Sequence, residues 1–231
     1  MAEVTTGVEP AVPSPVQAAA GIFVRPGHTF EAMRPRPRFV LPVLILAAAQ
    51  ILLVLLLMTS GAIESDSAAK AERQGATPDQ IEHMQQILEA PLAKLIFPLG
   101  TALWLTFVLL LGSGLAFFVG NLMIGAGLTY RHYLSAIAHG SLIRVLDQAI
   151  QGAIALNQGS LDVRVGLGNL FGPDMGKLGS MLDSATDPFV LWSTAVGALG
   201  IAVYAKRGYG FGLLSILPWF VIGILMAAMR G

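Results

Sequence analysis

From Leu95 to Met123 the chain carries no charged side chain. A helix of that length, at about 1.5 Å of rise per residue, is longer than the roughly 30 Å hydrocarbon core of a bilayer. Lipid offers no hydrogen bonds, so a helix that pairs its own backbone N–H and C=O groups is the form expected there. Tilt, or a kink at Pro98, accommodates the excess length. Composition agrees with this reading. Only 12% of the residues are charged and 55% are hydrophobic, whereas ordinary soluble domains carry about 25% charged residues. A chain of 231 residues has room for about four to six spans and little else. The expected fold is therefore all-α, a polytopic membrane helical bundle in one domain.

Five apolar segments emerge along the chain, at about 39–60, 95–123, 133–156, 188–204 and 209–229. Residues 1–20, rich in Ala, Val, Pro and Thr, read as a disordered N-terminal tail. They lack a basic flank, and Pro10, Pro13 and Pro15 break any apolar run, so no cleavable signal peptide is expected. Residues 21–38 read as a short interfacial basic segment. Phe30 and Met33 fall on one side of a short helix, and Arg34, Arg36 and Arg38 alternate with Pro35 and Pro37. The membrane domain proper is 39–229. Its loops carry two further amphipathic helices. One is announced by Thr77-Pro78-Asp79-Gln80, an N-cap with proline at the first helical position and glutamine three residues later; its Ile81, Met84, Ile87 and Leu88 face rests on the membrane or packs on the bundle. The other carries Met175, Leu178, Met181 and Leu182. Between these loop helices Leu161, Val163, Val165 and Leu167 alternate with polar or small residues in a weak strand-like pattern. Asp187-Pro188 is an N-cap and first residue for the fourth span.

Lysine and arginine near the span ends set the expected orientation. Arginines cluster before the first span, and placing them in the cytoplasm also puts Arg131 and the Lys206-Arg207 pair inside. Five spans then leave the N-terminus cytoplasmic and the C-terminus outside.

Enzymatic chemistry has no positive signal. The absence of cysteine removes disulfides, thiolate metal sites and cysteine nucleophiles. A net charge of zero supplies no basic excess for nucleic acid. Histidines are scattered at 28, 83, 132 and 139, without the spacing of a metal site. Gly166, Gly168 and Gly172 do not form a dinucleotide loop, and no Walker A loop is present. Ser113, in Gly112-Ser113-Gly114, lacks both nucleophile-elbow spacing and a base. No cofactor or metal is expected.

The residues that do stand out lie in the third segment. His139, Arg144, Asp147, Gln148 and Gln151 share one apolar stretch, and no other apolar segment holds both an acid and a base. Such groups are costly in hydrocarbon and normally face a bundle interior, a wet cavity or a partner. Arg144 and Asp147 are three positions apart, within reach of each other on a helix. That spacing suits an internal ion pair, a docking point for a partner's polar residue, or part of an ion path. Two small-residue patterns invite close helix packing: Gly112, Ala116 and Gly120, and the Gly208–Gly212 spacing.

The segments together resemble the Yip family, the Rab- or Ypt-interacting proteins, in its bacterial form. The resemblance rests on Phe23-Val-Arg-Pro-Gly-His-Thr-Phe30 before the first span and on Thr129-Tyr-Arg-His-Tyr-Leu-Ser135 leading into the polar segment. Asp187-Pro-Phe-Val-Leu-Trp192 at the fourth span and the five-span count add to it. It implies a helical membrane domain with a cytoplasmic N-terminus, in a bacterial inner membrane. Eukaryotic relatives act in vesicle formation and contact prenylated Rab GTPases. Their Asp-Leu-Tyr-Gly-Pro motif precedes the first span, whereas Asn169-Leu-Phe-Gly-Pro173 here falls in the second outer loop, so GTPase binding is not carried over. The resulting expectation is a non-enzymatic scaffold or membrane-organising factor. It would bind membrane lipids and other membrane proteins, or a second copy of itself. The alternative is a small transport subunit that uses Arg144 and Asp147.

Overall fold

The computed structural model describes residues 13–161, 163, 165–171 and 176–229. Among them every regular element is helical. In order these are α1 (Pro15–Val24), α2 (Pro26–Met33), α3 (Val40–Thr59), α4 (Ala62–Arg73), α5 (Pro78–Glu89) and α6 (Pro91–Phe117, continued by a π-helical turn over Phe118–Met123). After them come α7 (Tyr130–Ser141), α8 (Ile143–Gln158), α9 (Gly176–Thr186), α10 (Pro188–Ala205) and α11 (Tyr209–Ala227). Four are long and apolar enough to cross a membrane: α3, α6 with its extension, α10 and α11.

The third apolar segment differs from expectation. It is two shorter helices that meet at Leu142. There the Leu142 N–H donates to the His139 carbonyl at 3.1 Å, and the Val145 N–H donates to the Leu142 carbonyl at 3.1 Å. These tight turns interrupt the α-helical ladder directly after Gly140-Ser141, a pair that commonly bends helices. The pair of helices still runs from one end of the bundle to the other. Tyr130 begins beside the turn after α6, and Gly159 ends against α4, where the Ser65 hydroxyl donates to its carbonyl.

Residues 15–20 are not a disordered tail. Ser14 caps α1 through a reciprocal capping box with Gln17, Pro15 takes the first helical position, and Ala18, Ala19 and Ile22 are buried. Residues 1–12 lie outside the described set. The interfacial expectation for 21–38 also changes, because Phe30 and Met33 point into the core and are fully buried. Helices α1 and α2 form a closed hairpin: Arg38 Nη1 donates to the Pro13 carbonyl at 3.0 Å, which ties its two ends together. At the crossing, Gly21 sits against Thr29 so tightly that a Cβ would collide with the threonine hydroxyl.

Among the described residues no strand forms around Leu161–Leu167. Residues 161, 163, 165 and 166 are irregular, and a 3-10 turn follows over Leu167–Phe171. The described residues offer no neighbouring strand for pairing. Instead, Leu161 and Val163 pack on an apolar cluster of Val54, Leu57, Met58, Ala62, Ile63 and Ala155, and Leu88 of α5 leans on the same cluster. Asp162, Arg164 and Met175 lie outside the described residues.

The bundle has two chemically distinct ends. Arg34, Arg38, His132, Tyr204 and Arg207 meet at one, through bonds detailed below. At the other, Asp66 pairs with Lys70 at 2.7 Å and accepts from the Leu161 N–H at 3.1 Å, joining α4 to the segment after α8. Burial alone would raise the Asp66 carboxyl. The hydrogen bond from Lys70, the Leu161 N–H, the Lys70 charge and the Ser160 hydroxyl outweigh it and hold the group below its ordinary value.

Candidate functional site

Helix α7 is the axis of the molecule. All eight residues from Tyr133 to Gly140 are buried. Small side chains make this possible. A Cβ on Gly140 would stand 2.7 Å from the Ser193 carbonyl oxygen and 2.9 Å from the Gly197 nitrogen. On α10, Gly200 leaves space for the Phe30 ring, and Gly212 of α11 lies directly against the Ala198 carbonyl. Of the glycines picked out by spacing, Gly112 receives the Trp219 ring and Gly120 the Tyr133 hydroxyl, and Ala116 is fully buried between them. Gly208, in contrast, has open space around it and serves as the α11 N-cap, so the Gly208–Gly212 spacing makes contact only at Gly212. The Gly140–Gly197–Gly200 seam was not singled out by spacing, because Gly140 lies on α7 while Gly197 and Gly200 lie on α10.

The polar groups of α7 are satisfied inside the protein. Ser135 Oγ donates to the Arg38 carbonyl at 2.7 Å and lies 3.0 Å from the Tyr204 hydroxyl. Tyr133 donates to Asn121 Oδ1 at 3.2 Å, and the Asn121 amide bonds in turn to both backbone groups of Leu128. His139 Nδ1 lies 2.9 Å from the Ser135 carbonyl, with its ring edge-on to Phe30. Arg34 Nε donates to the Tyr204 carbonyl at 3.1 Å, at the C-terminal end of α10 where a cation is favoured. His132 Nε2 lies 3.3 Å from the Arg34 carbonyl, and Arg207 donates to the Ile124 and Gly125 carbonyls. Asn121, Ser135, Tyr204 and Arg34 were not among the sequence candidates. Asn121 is the lone amide in an apolar run, and that was the available signal.

Helix α8 is different. Asp147 is buried and accepts from the Gln151 amide four residues on. Gln148 donates to Gln50 of α3 at 2.9 Å, a pairing foreshadowed by Gln50 being the one strongly polar residue between Leu41 and Met58. Arg144 makes no ion pair with Asp147. It is exposed on the outward face of α8, and the one ion pair among the described residues is Lys70–Asp66. Three-residue spacing leaves two side chains about 60° apart around the axis, and packing turns Asp147 inward and Arg144 outward. The polar candidates therefore divide into Asp147–Gln151 and Gln148–Gln50 inside, His139 separately beneath the hairpin, and Arg144 outside. Among the described residues no group of three or more histidine or carboxylate side chains is placed to hold a metal.

The Yip1 domain family model matches residues 20–229. The chain belongs to the Yip1 family. No curated protein and no solved structure matches it significantly. The three short stretches that carry the Yip1 resemblance converge in space. Phe30 of the first lies edge-on to Tyr204 at 5.5 Å, and Ser135 of the second bonds to that same tyrosine. Phe23 of the first meets Trp192 of the third edge-on at 6.4 Å. Asp187, which opens the third, caps α10 by accepting from the Phe189 and Val190 N–H groups at 2.8 and 3.1 Å. In this Yip1 chain the pattern describes one packing unit, the N-terminal hairpin seated on α7 and α10. Gly172 and Pro173 of the Asn169–Pro173 string lie outside the described residues.

Proposed function

We propose that this Yip1-domain protein is a non-enzymatic integral membrane scaffold that holds protein and lipid partners through its helical bundle. The carrying observation is Arg144, a permanently charged side chain at the middle of the α7–α8 segment, exposed and, among the described residues, without an ion-pair partner. A cation in that position is costly against lipid and is relieved by an acidic or carbonyl-rich partner. The α7–α8 pair also crosses the membrane in this reading, as the third of five spans in chain order, and Arg144 lies well below either surface. In this reading the N-terminus is cytoplasmic and the α11 end outside, in a bacterial inner membrane. Support comes from the gathering of Arg34, Arg38 and Arg207 at one end of the bundle, together with Arg131 and Lys206 beside them in sequence. Crosslinking in native membranes tests the reading: a specific partner captured by wild type and lost in Arg144→Ala supports it, and an unchanged capture profile overturns it.

A second reading, a small transport subunit, draws on Asp147, a carboxylate buried in the bundle beside Gln151. Ion or solute flux in proteoliposomes that disappears in Asp147→Asn would favour it over the scaffold.

A further inference from the structure

We propose that the groove between α1 and α2 is a binding site for the phosphate of an anionic phospholipid. This deepens the reading of the protein as a holder of membrane partners by naming one of them, and it places that partner away from Arg144.

The groove is a cavity of about 270 Å³ lined by Gln17, Gly21, Val24, Arg25, His28 and Thr29. Its basic side chains stand at the turn between the two helices, where Arg25 is the N-cap of α2 and its side chain makes no cap hydrogen bond. Both Arg25 and His28 are exposed, and among the described residues neither side chain has a carboxylate partner. The turn is not at the basic end of the bundle. The base of the hairpin is fixed at the end of α10 by the bond from Arg34 to the Tyr204 carbonyl, while Phe23, next to the turn, reaches Trp192. Trp192 and Tyr204 are roughly 18 Å apart along α10 at about 1.5 Å per residue. Arg25 and His28 are thus carried away from the basic end toward the opposite end of α10, whose first residue, Pro188, lies only about 6 Å beyond Trp192, a depth at which a lipid headgroup meets a spanning helix.

A positive charge held there needs an anion, and the surroundings say which kind. The outward side of α1 is apolar: Val16 is 69% exposed, Val24 78% and Phe23 40%. That face continues into the exposed apolar surfaces of α3 and α10, through Val40, Leu44, Leu191 and Trp192. A free phosphate would use the cations and leave this surface without a role. A phospholipid uses both, with its phosphate on Arg25 and His28 and its acyl chains along Val16, Val24 and the neighbouring spans. The Gly27 and His28 N–H groups in the first turn of α2, which begins at Pro26, add further donors.

The test uses the full-length protein purified in mild detergent, with native mass spectrometry after adding phosphatidylglycerol, phosphatidylcholine or inorganic phosphate. Wild type is expected to retain phosphatidylglycerol over phosphatidylcholine. Removing one basic contact in Arg25→Ala or His28→Ala is expected to lower that retention by about fivefold. Arg25→Lys, which keeps the charge, and Arg131→Ala, which removes an exposed cation elsewhere, are expected to retain it. An unchanged thermal transition in each variant excludes misfolding as the cause. Equal retention of the two lipids, or retention unaffected by both alanine variants, overturns the proposal. Displacement of the lipid by millimolar inorganic phosphate, with phosphate itself bound, replaces it with a site for free phosphate. None of these readouts depends on the protein partner expected at Arg144, so either inference can fail while the other stands.

Discussion

Helix α7 buries every residue from Tyr133 to Gly140, whereas α8 buries Ile143, Asp147, Gly152 and Ala155 and leaves the rest half-buried or exposed. The two are consecutive and come from one polar sequence segment. In α7 the small residues let neighbouring backbones approach, and the polar groups are consumed by the protein's own partners, Arg38, Tyr204 and Asn121. In α8 one face does the same with Asp147 and Gln148, while the other presents Arg144. A polar residue in a membrane segment is therefore no guide by itself to a functional surface. What matters is whether the fold has already used it. By that criterion α7 is architecture and the outward face of α8 is the surface we propose for a partner.

The comparison can be broken first with a methyl group. Gly140→Ala drives a Cβ into the Ser193 carbonyl and the Gly197 backbone, which cannot yield cheaply, whereas a Cβ on Gly152 meets only the end of the Leu53 side chain. Gly140→Ala is expected to cost about 1–3 kcal/mol, read as a lowered thermal transition in detergent. For Gly152→Ala the expected change is within about 0.5 kcal/mol, since a rotamer shift of Leu53 is offset by the better helix propensity of alanine. Equal losses at both glycines would remove the distinction between the helices.

Next in size is Ser135→Ala. It removes the hydroxyl that joins the Arg38 carbonyl to Tyr204 and is expected to cost about 1–2 kcal/mol. Hydrogen exchange should rise in α2 and at the C-terminal end of α10, and stay unchanged in α8.

Acid should act on the other helix. The Asp66 contacts fasten the segment leaving α8 to α4, and its folded-state pKa lies below the unfolded value. Their stabilisation is complete above the unfolded value and is lost as pH falls through the folded one. Hydrogen exchange at pH values below the ordinary carboxylate range should rise in α4 and the C-terminal turn of α8 while α7 stays protected. Asp66→Asn should show the same pattern at neutral pH. The smallest effect on stability is expected for Arg144→Ala, within about 0.5 kcal/mol, because the side chain is exposed and makes no ion pair among the described residues.

Much of this architecture is legible in local chemistry. The Thr77–Gln80 and Asp187–Pro188 signals mark real helix starts, because capping depends on a few adjacent residues. Apolar length likewise locates α3, α6, α10 and α11. The features that escape depend on distant neighbours. Ser14-Pro15-Val16-Gln17 does carry the capping pattern, but the prolines around it and the short Ala-rich run read as a tail until the burial of Ala18 and Ile22 against the bundle is known. The division of Arg144 from Asp147 and the contrast between Gly208 and Gly212 are set by which side another helix occupies. Spacing along one helix does not contain that information.

Native-membrane crosslinking of wild type, Arg144→Ala and Asp147→Ala, at matched expression and with folding verified by the thermal transition, tests the central claim most directly. If the outward face of α8 is the docking surface, a specific partner is captured by wild type and by Asp147→Ala and lost in Arg144→Ala. Retention of the partner in Arg144→Ala, or its loss only in Asp147→Ala, would contradict the assignment and move the functional site to the bundle interior.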